Sequence, residues 1–261
     1  VETEEGGRRQ RQRVGPAPRD IPPSDDVIAE MGLAEAVAAL RAHVAVERVA
    51  EKACERLVAL CRPLGTEQAS AEAGVIEAVV EALRAHPQVS FVQGSGLSVL
   101  HYLCIGADAA ARARAQRAMR AGFIEAAVAA IRAEAQELGG MAAPVQQLGC
   151  MALAAVCEGD DAAGRARKQR AAEAGALEAV VEAMRAMQAH LQVRGGDVLQ
   201  IYGCRALVSV CGGGASAAAR ARRQRAAQAG GRTVAAAAMQ AYPDNVNLQG
   251  AGQLVLNALP A

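Results

Sequence analysis

The chain repeats itself, and this repetition constrains its fold more than any other feature. The clearest copies run over 73–84, 121–132 and 174–185, and weaker copies begin at 31 and 229. Sequence repeats with periods of roughly 20–50 residues are typical of solenoids, in which each unit buries its apolar face against its neighbours. The sequence therefore predicts an array of stacked units.

Each copy is followed by a second block of constant length. The five blocks cover 49–61, 92–104, 145–157, 199–211 and 248–260. Apolar residues recur at helical spacing in each block, which predicts one helix of fixed length. Every block also has a small residue eight positions before its end, and this row predicts close approach to a neighbouring helix. The row is Ala53, Gly96, Gly149, Gly203 and Gly252.

Arginine-rich segments such as 165–170 lie between the repeated blocks and predict a short basic helix in the unit. Abundant alanine favours helix, whereas an aromatic content of 2% argues against β-sheet domains and against modules that stack nucleic-acid bases. Three helices in roughly 40–47 residues is the armadillo proportion. We therefore predict an all-α repeat domain over 27–261, preceded by a flexible Pro- and Arg-rich tail over 1–26.

The phrases Val92-Gln93-x-x-Gly96 and Val145-Gln146-x-x-Gly149 resemble the third helix of armadillo repeats, and the units are similar to the armadillo section of leucine-rich-repeat kinases. The resemblance covers about residues 27–261. It implies a right-handed armadillo- or HEAT-like α-solenoid of about four complete three-helix repeats with partial terminal repeats. It also implies a concave groove lined by the third helices.

Importin-like members of that family clamp a basic peptide with one row of Trp and one row of Asn, and both rows are absent here. The resemblance therefore does not imply nuclear-import-type peptide binding. Other side chains in or beside these rows are the candidates for anchoring a partner, because Tyr, Met and Arg are enriched at interface cores. The candidate groove residues are Ser98, Tyr102, Met151, Tyr202, Arg205 and Ser209. The alternative is that these side chains only fill gaps between repeats.

Arginines recur at three aligned positions of the basic segments and predict a basic ladder on one flank of the array. The ladder comprises Arg112, Arg165 and Arg220, then Arg114, Arg167 and Arg222, then Arg117, Arg170 and Arg225. It is either a solvated face paired with acids such as Asp160 and Asp161, or a ridge for acidic peptides, anionic lipids or RNA. The net charge of +1 provides no general attraction to nucleic acid, which is therefore a disfavoured partner.

The seven cysteines recur at two positions of the third-helix blocks, and within one block they are seven residues apart. Two helical turns, about 10.5 Å, separate such positions, which is too far for a disulfide. We predict buried, unpaired thiols and a reducing intracellular compartment, with the cytoplasm favoured over an organelle interior.

The repeated Glu77, Glu125 and Glu178 suit the positive end of a helix better than acid-base chemistry.

No arrangement of a catalytic triad, phosphate loop, metal site or cofactor site is evident, and no apolar stretch of about 18 residues predicts a transmembrane segment. We expect a non-enzymatic scaffold that binds a protein or peptide segment in the groove. The first alternative is a fixed structural subunit of a larger assembly, docked through the predicted loops 133–144 and 186–198 and the apolar terminal helix 254–259. The second is an adaptor for anionic surfaces or RNA that uses the basic ladder.

Overall fold

The computed structural model describes residues 21–135, 142–188 and 196–260. Within these ranges the chain forms fifteen α-helices and no β-strand, which confirms the predicted all-α class. The helices are α1 (Asp25–Glu30), α2 (Leu33–Ala42), α3 (Glu47–Cys61), α4 (Glu67–Glu72), α5 (Val75–Ala85), α6 (Ser90–Cys104), α7 (Ala109–Ala121), α8 (Phe123–Ala135), α9 (Ala142–Val156), α10 (Ala162–Glu173), α11 (Ala176–Gln188), α12 (Gly196–Cys211), α13 (Ala217–Gln228), α14 (Gly231–Ala241) and α15 (Val246–Ala258).

The helices follow one another as five sets of three, each with a first, a second and a third helix. The third helices α3, α6, α9, α12 and α15 pack side by side in chain order, and we call them the third-helix layer. The second helices form a parallel layer against it, and the buried apolar residues lie between the two. This stacking is that of an α-solenoid-like fold. Both terminal sets contain three helices, so the division into four complete and two partial units is not confirmed.

The turn between the first and second helices requires glycine in every unit except the first, where Gly32 has an ordinary φ of −72°. Gly122 and Gly175 both have φ of +85°, in the left-handed region that other residues avoid. The chain reverses there within one residue, so the first and second helices pack against each other. The repeated Ala-Gly pair in the sequence is the signature of this turn.

The row of small residues lets each third helix approach the second helix of its own unit. A Cβ added to Gly96 would lie 2.7 Å from Leu83 Cδ2, and one added to Gly203 would lie 2.6 Å from Met184 Cγ. Both distances are shorter than carbon atoms tolerate, so no larger side chain fits without displacing its neighbour. The close approach predicted from these positions is confirmed.

Two predicted boundaries differ from the structure. Helix α1 begins at Asp25, inside the segment assigned to the tail, because Asp25 and Asp26 favour the positive end of a helix; residues 1–20 lie outside the described residues. Parts of the predicted loops are helical: α8 extends to Ala135 and α9 begins at Ala142, where alanine favours helix, while α11 extends to Gln188 and α12 begins at Gly196. The other residues of the two predicted loops, 136–141 and 189–195, lie outside the described ranges.

No helix in the described ranges is both long enough and apolar enough to cross a membrane.

Candidate binding surfaces

A hollow in the third-helix layer gathers most of the candidate groove residues. It has a volume of about 250 Å³ and lies among α6, α9, α12 and α15; we call it the α9–α12 hollow. Its lining includes Met151 from α9 and Tyr202, Arg205 and Ser209 from α12. Most of its other lining side chains are apolar, among them Ile105 and Leu254. Four of the six predicted groove residues therefore surround one site.

The other two predicted groove residues lie elsewhere on α6. Ser98 lines a second hollow of about 290 Å³ between α3, α6 and α9, beside the exposed ring of Phe91. Tyr102 lines neither hollow and lies beside His101, with 5.8 Å between the ring centroids. The structure thus separates Ser98 and Tyr102 from the other four candidates.

The α9–α12 hollow contains two opposite charges that do not pair with each other. The guanidinium of Arg205 lies over the ring of Tyr202, 5.4 Å from its centroid, and forms no ion pair with any carboxylate in the described ranges. Glu158 lines the same hollow, and no ion pair or hydrogen bond to its carboxylate occurs within the described part of the chain. A ligand in the hollow would therefore meet one available cation and one available anion.

His101 completes the polar lining of the hollow. Burial lowers the pKa of its imidazole, although a hydrogen bond with the backbone of Met151 opposes that shift. Its Nδ1 atom is buried with no hydrogen-bond partner among the described residues. His101 is therefore neutral near pH 7 and adds no charge to the hollow.

The middle row of the basic ladder is buried rather than presented to solvent. Arg114, Arg167 and Arg222 are 8%, 0% and 3% exposed. Each donates from Nε to a carbonyl at the end of the preceding third helix: Leu103, Val156 or Val210. A cation at the C-terminus of a helix offsets the negative end of the helix dipole and satisfies carbonyls that lack a partner. These three arginines cap helices, so the prediction that they form part of a surface ridge is wrong.

The next row of the ladder joins neighbouring units through ion pairs. Arg117 donates to both carboxylate oxygens of Glu77, at 2.5 and 2.8 Å, and to the carbonyl of Ala71 at 2.6 Å. The pairs Arg170–Glu125 and Arg225–Glu178 repeat this contact further along the array. The repeated glutamates thus occupy first turns of second helices, as predicted, and also bind the first helix of the following unit.

Replacing Glu77 with glutamine is expected to lower the free energy of unfolding by about 0.5–1 kcal/mol at pH 7, a value limited by solvent screening of this half-exposed pair. Burial raises the pKa of Glu77, but hydrogen bonds from Arg117 and from its own backbone, and nearby positive charge, hold it below its usual 4.5. A depressed carboxyl pKa contributes stability above the unfolded-state pKa, and this contribution disappears as the pH falls through the folded-state pKa. Urea unfolding at pH 7 and at about pH 3 should show the difference shrinking in acid, with Glu81→Gln on the same helix as control.

The remaining row of the ladder is more exposed and contacts nearby loops. Arg112 lies 3.5 Å from Asp161, while Arg165 and Arg220 donate to the carbonyls of Asp160 and Ala215. The predicted pairing with Asp161 is therefore present, whereas the carboxylate of Asp160 pairs with Lys168 and not with an arginine of the ladder. All nine arginines of the predicted ladder have protein partners, and they do not form one continuous free ridge.

Two further rows of contacts between helices were not predicted. An arginine in the last turn of each of the first four second helices donates to the backbone at the next glycine turn, as in Arg41 to Gly74 at 3.0 Å and Arg132 to Gly175 at 3.2 Å. The third-helix glutamines donate to carbonyls near the end of the second helix of their own unit, as in Gln93 to Leu83 at 2.8 Å. The recurrence of arginine at one position of the first four copies was the available signal for the first row.

All seven cysteines are buried and unpaired, as predicted. Burial raises the pKa of six of these thiols to about 12: Cys54, Cys104, Cys150, Cys157, Cys204 and Cys211. Burial also raises the pKa of Cys61, against an opposing hydrogen bond with Ser70. Since the thiolate is the reactive form, these thiols are inert in the folded protein.

We therefore expect the folded protein to resist alkylation and disulfide-exchange reagents at about pH 8. All seven thiols should react rapidly once the chain is unfolded in guanidinium. Counting modified cysteines by mass spectrometry checks the prediction, and rapid labelling of one specific cysteine in the folded protein would contradict it.

The terminal helix is less available for docking than its apolar sequence suggests. Val255 and Leu259 are buried, whereas Leu254 is 56% exposed and lines the α9–α12 hollow.

Among the described residues no group of three or more His, Cys, Asp or Glu side chains is placed to hold a metal ion.

Comparisons with known proteins bear on the fold alone. No family model matches the sequence, and no curated protein matches it. An engineered protein whose crystal structure comes from the Northeast Structural Genomics Consortium has a TM-score of 0.62 at 20% identity, with 90% of this chain and 88% of that chain covered. A second engineered protein from the same consortium has a TM-score of 0.45 at 19% identity, with 87% and 96% covered. The first similarity supports the all-helical arrangement.

Proposed function

We propose that this chain is a non-enzymatic scaffold with an armadillo-like, right-handed solenoid, and that it binds a segment of a protein partner on the third-helix layer. The observation that carries the proposal is the α9–α12 hollow, which brings together Met151, Tyr202, Arg205 and Ser209. Aromatic, Met and Arg side chains around an apolar depression are the usual composition of an interface core.

The same contacts favour the groove over the basic ladder as the binding surface. The arginines of the middle row, such as Arg167 and Arg222, cap helices. Those of the following row, such as Arg117 and Arg225, pair with glutamates of the preceding unit. Arg205, in contrast, is exposed and has only an aromatic partner. These observations weaken the hypothesis of an adaptor for anionic surfaces or RNA.

The cysteines bear on the cellular compartment, and the terminal helix bears on the alternative of a fixed subunit. Seven unpaired thiols support a reducing intracellular compartment, as expected from the sequence. Burial of Val255 and Leu259 in this chain removes part of the argument for a fixed subunit that docks through the terminal helix.

The test is selection from a random peptide library of about 12 residues displayed on phage, a length that spans roughly 40 Å when extended. Peptides enriched on the wild-type chain are synthesised and their affinities measured by fluorescence anisotropy. Met151→Glu places a charge in the hollow and is expected to weaken binding about tenfold or more. Leu64→Glu, at a 94% exposed apolar side chain off the third-helix layer, is the matched control and should bind normally. Equal binding by wild type and Met151→Glu would refute the proposal.

A further inference from the structure

The α9–α12 hollow has room for one large apolar side chain. Its volume is about 250 Å³, and a cavity of about 150 Å³ is already sufficient for benzene. Ile105, Met151, Val208 and Leu254 supply apolar walls from four different helices or their ends. A partner side chain such as Leu, Phe or Met would therefore exchange water for apolar contacts on the part of its surface that enters the hollow.

Arg205 is positioned in advance for a carboxylate. Stacking on Tyr202 restrains the guanidinium, so less rotamer freedom is lost when it binds an anion. Many other arginines in the described ranges are already held by carboxylates or carbonyls of this chain. Arg205 has no such partner there and lines the hollow, so it is the cation available to a ligand.

Glu158 supplies the complementary charge on the other side. It lies seven residues beyond Met151, whose position in α9 corresponds to that of Arg205 in α12. The part of α9 from Met151 to its end at Val156 covers roughly 7.5 Å, Glu158 lies two residues beyond, and neighbouring helices are about 10 Å apart, so the two charges are on the order of 10–15 Å apart. About three to five residues of extended chain span that distance.

The presence of Glu158 also selects the type of anion. A phosphate group with nearly two negative charges would meet the carboxylate of Glu158 within the same hollow and only one available cation. A single carboxylate at Arg205 leaves Glu158 free to pair with a basic side chain. A peptide with both charges thus matches the hollow better than a phosphopeptide does.

We infer that the α9–α12 hollow binds a peptide segment in which a bulky apolar side chain lies between an acidic residue, which pairs with Arg205, and a basic residue, which pairs with Glu158. This inference rests on the proposed function and adds the chemistry of the partner to it. It also fixes the direction in which the segment lies across the third-helix layer, because reversing the segment would place like charges together.

The test uses the same displayed random library on the wild-type chain and on two single charge reversals, Arg205→Glu and Glu158→Lys. Wild type should enrich peptides with an acidic and a basic residue about three to five positions apart around an apolar one. Arg205→Glu should enrich peptides with basic residues at both positions, and Glu158→Lys should enrich peptides with acidic residues at both. Synthetic peptides of these three charge types should each bind their own protein about tenfold or more tightly than they bind the other two, and this preference should decrease at high salt.

Enriched peptides that lack the charge pair, or peptide charges that do not change with the two reversals, overturn this inference while leaving the proposed function intact if Met151→Glu still weakens their binding. Failure of every peptide to enrich on wild type overturns both. The variant Arg205→Gln with Glu158→Gln should keep apolar selectivity and lose the preference for charged residues. Circular dichroism of the Arg205 and Glu158 variants should match wild type because both side chains are exposed.

Discussion

Replacing Arg167 with alanine is expected to lower the free energy of unfolding by about 4 kcal/mol. Arg167 is fully buried, and its guanidinium donates to the carbonyls of Val156 and Glu158, at 2.6 and 2.8 Å, and to the amide oxygen of Gln116 at 3.3 Å. Removing it leaves the buried carbonyl of Val156 without this partner, at a cost of about 1–3 kcal/mol, takes the donor from two partly buried acceptors, and removes the positive charge at the C-terminus of α9. Urea unfolding monitored by circular dichroism measures the loss.

Arg165 on the same helix is the matched control for Arg167. It is exposed and donates only to the nearby carbonyl of Asp160, so Arg165→Ala should change stability by less than about 0.5 kcal/mol. Equal effects of the two substitutions would show that the buried network does not stabilise the fold. Arg222→Ala, which removes the equivalent cap from α12, should resemble Arg167→Ala.

The repeated helices and their close packing could be predicted because their causes are local. Apolar periodicity within a block sets each third helix, and α6 and α12 end at Cys104 and Cys211, as predicted. The small residue at Gly96 or Gly203 indicated a nearby helix, since no other benefit offsets the loss of a side chain inside a helix. Burial of the cysteines followed from their place on the same apolar face.

The roles of the arginines could not be read from their alignment alone. Alignment between repeats shows that Arg114, Arg167 and Arg222 occupy equivalent places, but not which carbonyls lie beneath them. One signal was available, because residues two apart on a helix point in different directions. Arg112 and Arg114 therefore could not both lie on a single solvated flank, and one of the two rows had to face the protein.

The α9–α12 hollow could not be predicted from any single repeat, because residues of several units form it. The candidate residues Met151 and Arg205 were found from their positions in the third-helix blocks. Glu158 lies after the end of α9, and Leu254 belongs to the last unit, so their convergence required the stacking of α6, α9, α12 and α15. Tyr102 occupies a comparable helical position but lies outside the hollow, which shows that membership depends on the neighbouring helices.

A second large loss of stability is expected from substitution in the row of small residues. Gly149→Val should lower the free energy of unfolding by about 3 kcal/mol, because extra atoms must enter a packed helix contact. A Cβ at Gly149 would lie 2.5 Å from Ile131 Cγ1 and 3.0 Å from Ile131 Cδ1, and Ile131 is itself fully buried and has little room to move. The branched side chain of valine adds two further methyl groups to this overlap. Differential scanning calorimetry and urea unfolding both measure the loss.

Gly250 separates this packing effect from the intrinsic helix propensities of glycine and valine. It lies in the third helix α15, as Gly149 lies in α9, but within the described ranges nothing beyond its chain neighbours and its own helix backbone comes within 4 Å of its Cβ position. Valine has a slightly better helix propensity than glycine, so Gly250→Val should leave stability within about 0.5 kcal/mol of wild type.

A large loss at Gly149 with none at Gly250 assigns the cost to the contact with Ile131. Equal losses at the two positions would instead assign it to the helix backbone, and the close approach of second and third helices would no longer account for the row of small residues.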